Sequence, residues 1–366
     1  MIVKATTSVA IVAALAVSAA AMLDAQGGRE GGPPSGVRTG TVDRITVHGK
    51  ALEGNLEADS PDRQVTVYLP PSYARDETRR FPVVYLLHGY GGRDDTFTAR
   101  LANLPESADR LAAAQGFSEL IVVTPDAFSL HKGSMYSSSV TTGDWESFIA
   151  QDLVAYIDGH YRTIANRISR GLAGHSMGGY GAIRIGIKHP DVFSSLYIMS
   201  ACCLTANTPR PESMAPAEAI KTREQAEEAA RGRGFGPSAN LASAAAWSPN
   251  PNNPPLYLDL PVKDGKLRPD VVAKWAANAP LVMLDHSAAA MKSHYAIAIE
   301  IGTKDNLLAS NRQLHEAMTR LKIAHGYEEY DGDHTNKVGE RIERNVLPFF
   351  SKNLASPANP TSPAVH

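Results

Sequence analysis

The sequence contains few cysteines and carries almost no net charge. Only two cysteines occur in 366 residues, Cys202 and Cys203, so a disulfide framework and cysteine-based zinc or iron–sulfur spacing are both excluded. The formal net charge at pH 7 is −2, and the basic residues form no cluster, so nucleic acid is not an expected partner. What the chain does have is an ordinary globular composition, with 43% hydrophobic residues and ample length for a large core.

The neighbouring cysteines allow two interpretations. A disulfide between sequence neighbours strains the backbone, because disulfide geometry requires the two Cα atoms to lie farther apart than adjacent residues do. We therefore favour two buried thiols at the end of a strand over a strained vicinal disulfide.

The start of the chain has the pattern of a secretory signal. Lys4 precedes an alanine-rich apolar run, and small residues follow that run. We predict a signal peptide over residues 1–25, cleaved after Ala21 or Ala25. The protein is then expected to be periplasmic or secreted, without stable membrane insertion after cleavage. The alternative is an uncleaved anchor helix, although the run is only marginally long enough to span a bilayer.

Two other segments lack the pattern of a packed fold. Residues 26–38 are rich in Gly and Pro and are predicted to form a flexible linker. Residues 351–366 have the composition of a disordered tail. Residues 39–350 are left as one folded domain.

Within this domain, strand patterns alternate with helix patterns. FPVVYLLHGYGG and SELIVVTPDA are continuous apolar runs typical of strands buried on both faces, whereas ESFIAQDLVAYIDGHY and MGGYGAIRIGIKHP have helical spacing. The alternation predicts an α/β fold with a mostly parallel central sheet covered by helices on both faces. Functional residues are expected just after strands, because sites of such sheets lie at the carboxyl ends of the strands.

Residues 204–290 interrupt the alternation and are too long for a simple crossover. We predict an insertion here, either a lid over the site or a peripheral decoration. Its aromatic residues Trp247, Tyr257 and Trp275 could form a wall for a sugar or phenolic group, or a small core of the insertion itself. The second interpretation is favoured for Trp275, which has helical spacing from two valines.

The segment GLAGHSMGGYGA contains the strongest chemical motif. Residues 174–178, GHSMG, fit G-x-S-x-G, in which small residues flank a serine on a sharp turn between a strand and a helix. The preceding RISRGLA and the following helix pattern supply the context that the motif requires. Ser176 is therefore the candidate nucleophile, and the amino end of the helix behind it suits developing negative charge.

A serine nucleophile needs a histidine as base and an acid that orients this histidine. For this motif the expected order along the chain is serine, then Asp or Glu, then histidine. His334 is the best base, because it follows a short β segment in a polar loop before the final helix. Asp305 is the best acid, because it lies just past a strand end, whereas Glu300 lies inside that strand. Asp331 and Asp333 are weaker candidates, and their segment lacks the other ligands of a calcium loop.

The oxyanion of such a reaction needs hydrogen-bond donors. One is expected to be the backbone N–H of Met177, directly after the nucleophile. The second is expected from the loop after the third strand, where Tyr90 is the first choice and Gly91 the alternative.

Six segments in order resemble the esterase D / putative esterase group of α/β-hydrolases, which includes S-formylglutathione hydrolases, feruloyl esterases and mycolyltransferases. They are QVTVYLPPSY, PVVYLLHGYGG, GDWESFIAQDLVAYI, GHSMGGYGAIRIGIKHPDVFSSLYIMS, IGTKDN and DGDH. The resemblance implies an α/β-hydrolase fold, a triad of Ser176, Asp305 and His334, and an oxyanion hole of Tyr90 and Met177. It also implies that Trp145 lies near the site, with a buried helix anchor as the alternative.

Three functions remain open on these observations. The first is a secreted, cofactor-free and metal-free serine esterase that hydrolyses carboxylic esters through an acyl-enzyme, with a small-molecule, carbohydrate or phenolic ester as substrate. The second is an acyltransferase with the same triad, which a product assay would distinguish. The third is a non-catalytic binding protein, which would require a broken site, and the motif residues here are intact.

Overall fold

The computed structural model describes residues 39–356, with the exception of Arg233. The predicted signal peptide over 1–25 and the predicted linker over 26–38 lie outside the described residues, as do residues 357–366 of the predicted tail.

An eight-stranded sheet forms the centre of the described chain, in the order β1-β2-β4-β3-β7-β8-β11-β12. The two outer strands β1 and β2 pair antiparallel, and β2 pairs antiparallel with β4, whereas all other neighbours are parallel. The predicted α/β fold with a mostly parallel sheet is therefore confirmed. The strands of this sheet are β1 Thr41–His48, β2 Asp62–Leu69, β3 Val83–Leu87, β4 Ile121–Pro125, β7 Arg170–His175, β8 Ser195–Met199, β11 Ala296–Gly302 and β12 Gly326–Tyr330.

Helices cover both faces of the sheet, and two two-stranded ladders lie outside it. The ladders pair β5 Ser138–Ser139 with β6 Gly143–Asp144, and β9 Val262–Lys263 with β10 Lys266–Leu267. The α-helices are α1 Leu104–Ala112, α2 Trp145–Ser147, α3 Leu153–His160, α4 Met177–Lys188, α5 Pro211–Glu218, α6 Arg223–Arg231, α7 Gly236–Trp247, α8 Pro269–Ala277, α9 Pro280–Lys292, α10 Leu308–Arg320, α11 Val338–Arg341 and α12 Leu347–Asn353. Among the described residues, no helix has the length and apolar character needed to cross a membrane.

Alternate residues of the central strands enter two separate cores. In β3, Val83, Tyr85 and Leu87 belong to one apolar cluster, whereas Val84 and Leu86 belong to the other. Successive side chains of a strand point to opposite faces, so each cluster packs one helical layer against the sheet. This two-sided burial explains why these strands have continuous apolar sequences instead of alternating ones.

The insertion between β8 and β11 is smaller than predicted. Helices α5, α7 and the segment after α7 share a third apolar core, in which Ala217, Leu241 and Leu258 are buried and Trp275 is half-buried. By contrast, Leu284 and Met291 of α9 are buried in the core beneath α4. Helix α9 is therefore part of the main fold, and the insertion ends before residue 280 instead of at 290.

The folded domain extends past the predicted boundary at residue 350. Helix α12 continues to Asn353, Leu354 is buried, and the Ala355 N–H donates to the Ile168 carbonyl at 2.9 Å. The predicted disordered tail over 351–366 is therefore wrong for residues 351–356, because these residues close the core under the sheet.

The turn from β7 into α4 brings backbone against backbone. A Cβ on Gly174 would overlap with the Gly178 carbonyl group, and a Cβ on Gly178 would overlap with the carbonyl group of Leu87 at the end of β3. Only glycine allows the helix to start this close to two strands, which is the physical reason for the spacing of the motif.

We expect Gly178→Ala to destabilise the protein by about 1–3 kcal/mol or more, because the added methyl group meets a rigid backbone carbonyl. Gly159→Ala is the matched control: Gly159 lies in α3, and a Cβ there would meet no atom within 4 Å. That change should be neutral or stabilising by up to about 1 kcal/mol. Urea unfolding of both variants measures the difference, and equal free energies of unfolding would contradict the packing argument.

Candidate active site

Ser176 occupies a strained backbone position between β7 and α4. Its φ is 59° and its ψ is −114°, a combination that costs a residue with a side chain of order 1–3 kcal/mol. Three backbone hydrogen bonds hold it there: its N–H donates to Met199 at 3.0 Å, and its carbonyl accepts from Tyr180 and Cys202, both at 3.1 Å. These hydrogen bonds hold Ser176 in its strained conformation, in which the hydroxyl lies at the carboxyl end of the sheet.

The structure brings together the three residues predicted as a triad. His334 Nε2 lies 2.9 Å from Ser176 Oγ, and His334 Nδ1 lies 2.7 Å from Asp305 Oδ2. An ionised carboxylate only accepts hydrogen bonds, so the Nδ1–H donates to Asp305. The neutral imidazole then keeps Nε2 free to accept the Ser176 proton.

Asp305 is held as a carboxylate. Burial on its own raises the pKa of Asp305, but hydrogen bonds from His334 and from the Leu307 N–H outweigh burial and lower the pKa below its usual value. The Leu307 N–H lies 2.9 Å from Asp305 Oδ1, so the two carboxylate oxygens have different partners. Asp305 therefore carries a negative charge next to His334 from mildly acidic pH upward.

The other acidic candidates have different partners. Glu300 Oε2 accepts hydrogen bonds from Tyr197 at 2.6 Å and from Arg341 at 2.7 Å and 2.9 Å, and burial raises its pKa. Asp331 is exposed and pairs with Lys304. Asp333 accepts from the N–H groups of two following residues and shapes the turn that carries His334. Of the acids considered, only Asp305 contacts the imidazole.

The hydrogen-bond partners of the predicted oxyanion donors distinguish between them. Met177 is the first residue of α4, so its N–H has no acceptor within the helix. In the loop after β3, the Gly91 N–H donates to Lys132 at 3.0 Å, whereas the Tyr90 N–H has no partner among the described residues. The same loop packs against the nucleophile, because a Cβ atom built on Gly89 would lie 3.2 Å from the Cβ atom of Ser176. These contacts favour Tyr90 over Gly91.

The Tyr90 side chain connects this loop to the insertion. Its hydroxyl donates to the His131 carbonyl at 2.9 Å, and its ring stacks on Phe235 with centroids 5.7 Å apart. Lys132 Nζ lies 5.6 Å from the Tyr90 ring centroid and donates to the carbonyls of Gly232 and Gly234, each at 3.0 Å. The insertion therefore contacts the loop that carries Tyr90, while the predicted lid over the site stays a prediction.

His175 supports the site, although the motif leaves its position unspecified. It is buried, its Nε2–H donates to the His334 carbonyl at 2.7 Å, and its ring contacts the His334 ring with centroids 4.7 Å apart. Burial lowers the pKa of His175 to about 4, so the ring is neutral at pH 7. No sequence signal identified this residue, because its partner is a backbone carbonyl of a distant loop.

Trp145, which the resemblance places near the site, is a buried residue. Only 1% of its surface is exposed, and its indole N–H donates to the Thr142 carbonyl at 2.8 Å. Its ring packs on Phe148, and the Arg63 guanidinium lies 5.0 Å from its centroid. Trp145 is the buried anchor of its helix, which was the alternative interpretation.

A cavity of about 270 Å³ lies between the insertion and the segment after β8. Its walls include Trp247, Trp275, Met214 and Cys203. Trp247 packs edge-on against Trp275 and also contacts Tyr180 of α4, with centroids 5.4 Å and 5.6 Å apart. The two tryptophans thus belong both to the packing of the insertion and to the surface of a cavity, while Tyr257 is not among its lining residues.

Cys202 and Cys203 are free and half-buried. They follow β8 by a few residues and do not lie inside it, because the strand ends at Met199. The predicted pair of thiols is present, but neither residue is fully buried.

Comparison with known proteins gives matches to esterases. Esterase Rv1288 of Mycobacterium tuberculosis (strain ATCC 25618 / H37Rv) is 37% identical over 134 residues, which are 36% of this chain and 27% of that protein. The endo-1,4-beta-xylanase/feruloyl esterase of Xylanibacter ruminicola is 27% identical over 181 residues, 48% of this chain and 24% of that protein. The chain thus spans about a quarter of the length of these curated relatives.

Solved structures share the fold along nearly their whole length. A ferulic acid esterase superposes with a TM-score of 0.61 at 24% identity, covering 86% of this chain and 99% of that one. An S-formylglutathione hydrolase from Staphylococcus aureus superposes with a TM-score of 0.56 at 19% identity, covering 85% and 99%. The α/β-hydrolase fold is therefore confirmed.

The family match covers most of the chain. Residues 59–338 match the family described as "Putative esterase". The match includes both strand-end loops and the strand–helix turn that carry Asp305, His334 and Ser176. On this match, the chain belongs to the putative esterase family.

Proposed function

We propose that the protein is a serine esterase that hydrolyses carboxylic esters through an acyl-enzyme intermediate. The observation that carries this proposal is the hydrogen-bonded chain from Ser176 Oγ through His334 to Asp305, at 2.9 Å and 2.7 Å. Membership of an esterase family supports the same reaction class.

In the first half of the reaction, His334 Nε2 takes the Ser176 proton as Oγ attacks the ester carbonyl carbon. The carbonyl oxygen becomes an oxyanion, for which the N–H groups of Met177 and Tyr90 are the proposed donors. His334 then gives its proton to the alcohol oxygen as the ester C–O bond breaks. The alcohol leaves, and the acyl group remains on Ser176.

In the second half, water takes the place of the alcohol. His334 accepts a proton from the water as its oxygen attacks the acyl carbonyl, and it returns a proton to Ser176 Oγ when the acid leaves. The Asp305 carboxylate stabilises the imidazolium form in both halves, and it also fixes the tautomer with the proton on Nδ1. The His175 contact to the His334 carbonyl positions the loop that carries the base.

We propose a phenolic or carbohydrate ester as the substrate. The cavity beside Cys203 supports an apolar or aromatic substrate group, because two tryptophans and a methionine contribute to its walls. The relatives named as feruloyl esterases support a phenolic acyl group. The rate on feruloyl, short acyl and acetylated-sugar esters ranks these classes directly.

We also propose that the protein is exported, on the basis of the signal-like sequence of residues 1–25. The full chain, expressed in a Gram-negative host, should be recovered from the periplasm or medium with its amino terminus shortened at Ala21 or Ala25. Mass spectrometry of the intact protein gives the cleavage site. A full-length product in the cytoplasm would contradict export and leave the proposed chemistry untouched.

We expect Ser176→Ala to lower the turnover number on p-nitrophenyl acetate by about a millionfold, because no other group replaces the nucleophile. Ser138→Ala removes an exposed hydroxyl of β5 and should turn over at the wild-type rate. A fluorophosphonate probe should label the wild type and Ser138→Ala but not Ser176→Ala. Wild-type turnover by Ser176→Ala would refute the acyl-enzyme mechanism.

We expect Asp305→Asn to lower the turnover number by roughly 10⁴-fold, because an amide in that place favours the wrong imidazole tautomer. Asp331→Asn is the matched control, since Asp331 is an exposed acid near His334 in sequence that pairs with Lys304. The control should stay within about threefold of wild type, as expected for an exposed ion pair. The reverse order of the two effects would assign the acid to Asp331 instead.

A further inference from the structure

The side chains of Cys202 and Cys203 converge, although sequence neighbours usually point apart. In an extended chain, successive side chains project to opposite sides. Cys203 has a φ of 60°, and this left-handed turn brings both sulfur atoms to the same side, 2.6 Å apart. The backbone has therefore already adopted the turn that a reaction between the two sulfurs needs.

The segment that carries the cysteines is rigidly held. The Asn311 side chain accepts from the Ala201 N–H at 3.2 Å and donates to the Ala201 carbonyl at 2.9 Å, and the Ser200 N–H donates to Glu300 at 2.9 Å. The Cys202 N–H donates to the carbonyl of Ser176 at 3.1 Å. The cysteine pair and the nucleophile thus share one hydrogen-bonded backbone network.

Cys203 is accessible from the cavity opposite Trp247 and Trp275. Cys203 lines this cavity and Cys202 is not among its lining residues, so a small disulfide reagent that enters the cavity is expected to meet Cys203 first. The hydrogen bond from Cys203 and burial both raise the pKa of the Cys202 thiol. Cys202 is therefore a protonated thiol at neutral pH, suited to the second step of an exchange and not to the first.

We propose that Cys202 and Cys203 form a redox-reversible vicinal dithiol site beside Ser176, which a low-molecular-weight disulfide oxidises to an intramolecular disulfide. The Cys203 thiolate attacks one sulfur of the reagent, whose S–S bond breaks and releases one thiolate. Cys202, on losing its proton, attacks the Cys203 sulfur of the mixed disulfide and releases the second thiolate. Two protein thiols are oxidised, and the reagent is reduced to two thiols that take up the two protons.

The resulting disulfide should be easily reduced. Adjacent Cα atoms across a trans peptide are about 3.8 Å apart, whereas disulfides usually join Cα atoms about 4.4–6.8 Å apart. The strain of the ring makes it more reducible than a structural disulfide, and strained, accessible disulfides are the labile and regulatory ones. The pair is thus suited to switching between two forms rather than to stabilising the fold.

Disulfide formation should also lower the activity of Ser176, and this part of the proposal rests on the proposed esterase function. Closure changes the backbone angles at Cys202, whose N–H holds the Ser176 carbonyl, and it moves the Cys203 sulfur in the wall of the cavity. If oxidation removes that one backbone hydrogen bond and its whole net stabilisation is lost from the transition state, kcat/KM falls about fivefold. The oxidised protein should therefore be slower than the reduced one by about this factor or more.

The experiment oxidises the purified full chain with glutathione disulfide and then reverses the reaction with dithiothreitol. Intact-mass spectrometry should show the loss of two hydrogen atoms, without a glutathione adduct, and full recovery after reduction. Cys202→Ser and Cys203→Ser are the matched variants, because serine preserves the size of each side chain. The Cys202→Ser variant should stop at a glutathione adduct, and neither variant should close a ring. Circular dichroism checks that both variants fold.

Each result decides between the alternatives. A stable glutathione adduct on the wild type, a covalent dimer or no reaction would overturn the dithiol site. Ring closure with an unchanged kcat/KM on p-nitrophenyl acetate would overturn the coupling to Ser176. If the reduced protein neither hydrolyses esters nor reacts with the fluorophosphonate probe, the proposed esterase function fails, while the mass change still tests the dithiol site independently.

Discussion

The strained backbone of Ser176 is the constraint on which the rest of the site depends. At φ 59° and ψ −114°, the residue points its hydroxyl away from the strand and towards the edge of the sheet. Relaxation to ordinary strand geometry would turn the side chain back into the core. The backbone hydrogen bonds to Met199, Tyr180 and Cys202 keep Ser176 in this conformation. The close packing of Gly178 against β3 prevents α4 from shifting. The position of His334 is useful only because this turn is fixed.

The predicted triad residues could be found from sequence because a parallel sheet gathers its carboxyl ends on one edge. Ser176, Asp305 and His334 each follow a strand, at β7, β11 and β12, and the strand order places these three ends near one another. The same reasoning separated Asp305 from Glu300, since a residue inside a strand that is buried on both faces has structural partners. The position of a histidine or aspartate just after a predicted strand therefore identifies triad residues better than the number of such residues in the chain does.

Other features had no signal in the sequence. Whether Tyr90 or Gly91 offers a free N–H depends on the carbonyl of Lys132, which arrives from another loop. Helix α9 has an apolar pattern that fits the insertion or the main core equally well, and only the contacts of Leu284 and Met291 decide between them. An aromatic residue near a motif, such as Trp145, is as easily an anchor as a contact, because burial depends on the packing of the whole fold.

The separate core of the insertion has a consequence for how this molecule could vary. Its buried residues, among them Ala217, Leu241 and Leu258, pack mainly on one another and not on the sheet. The cavity walls belong to the same helices, since Met214 lies in α5 and Trp247 ends α7, so a volume change in this core acts on the cavity through those helices before it reaches the strands that carry Ser176 and Asp305. The insertion can therefore be repacked, by evolution or by design, with less effect on the triad than a change in the sheet core would have, and it meets the rest of the site through the contacts of Phe235 with Tyr90 and of Trp247 with Tyr180.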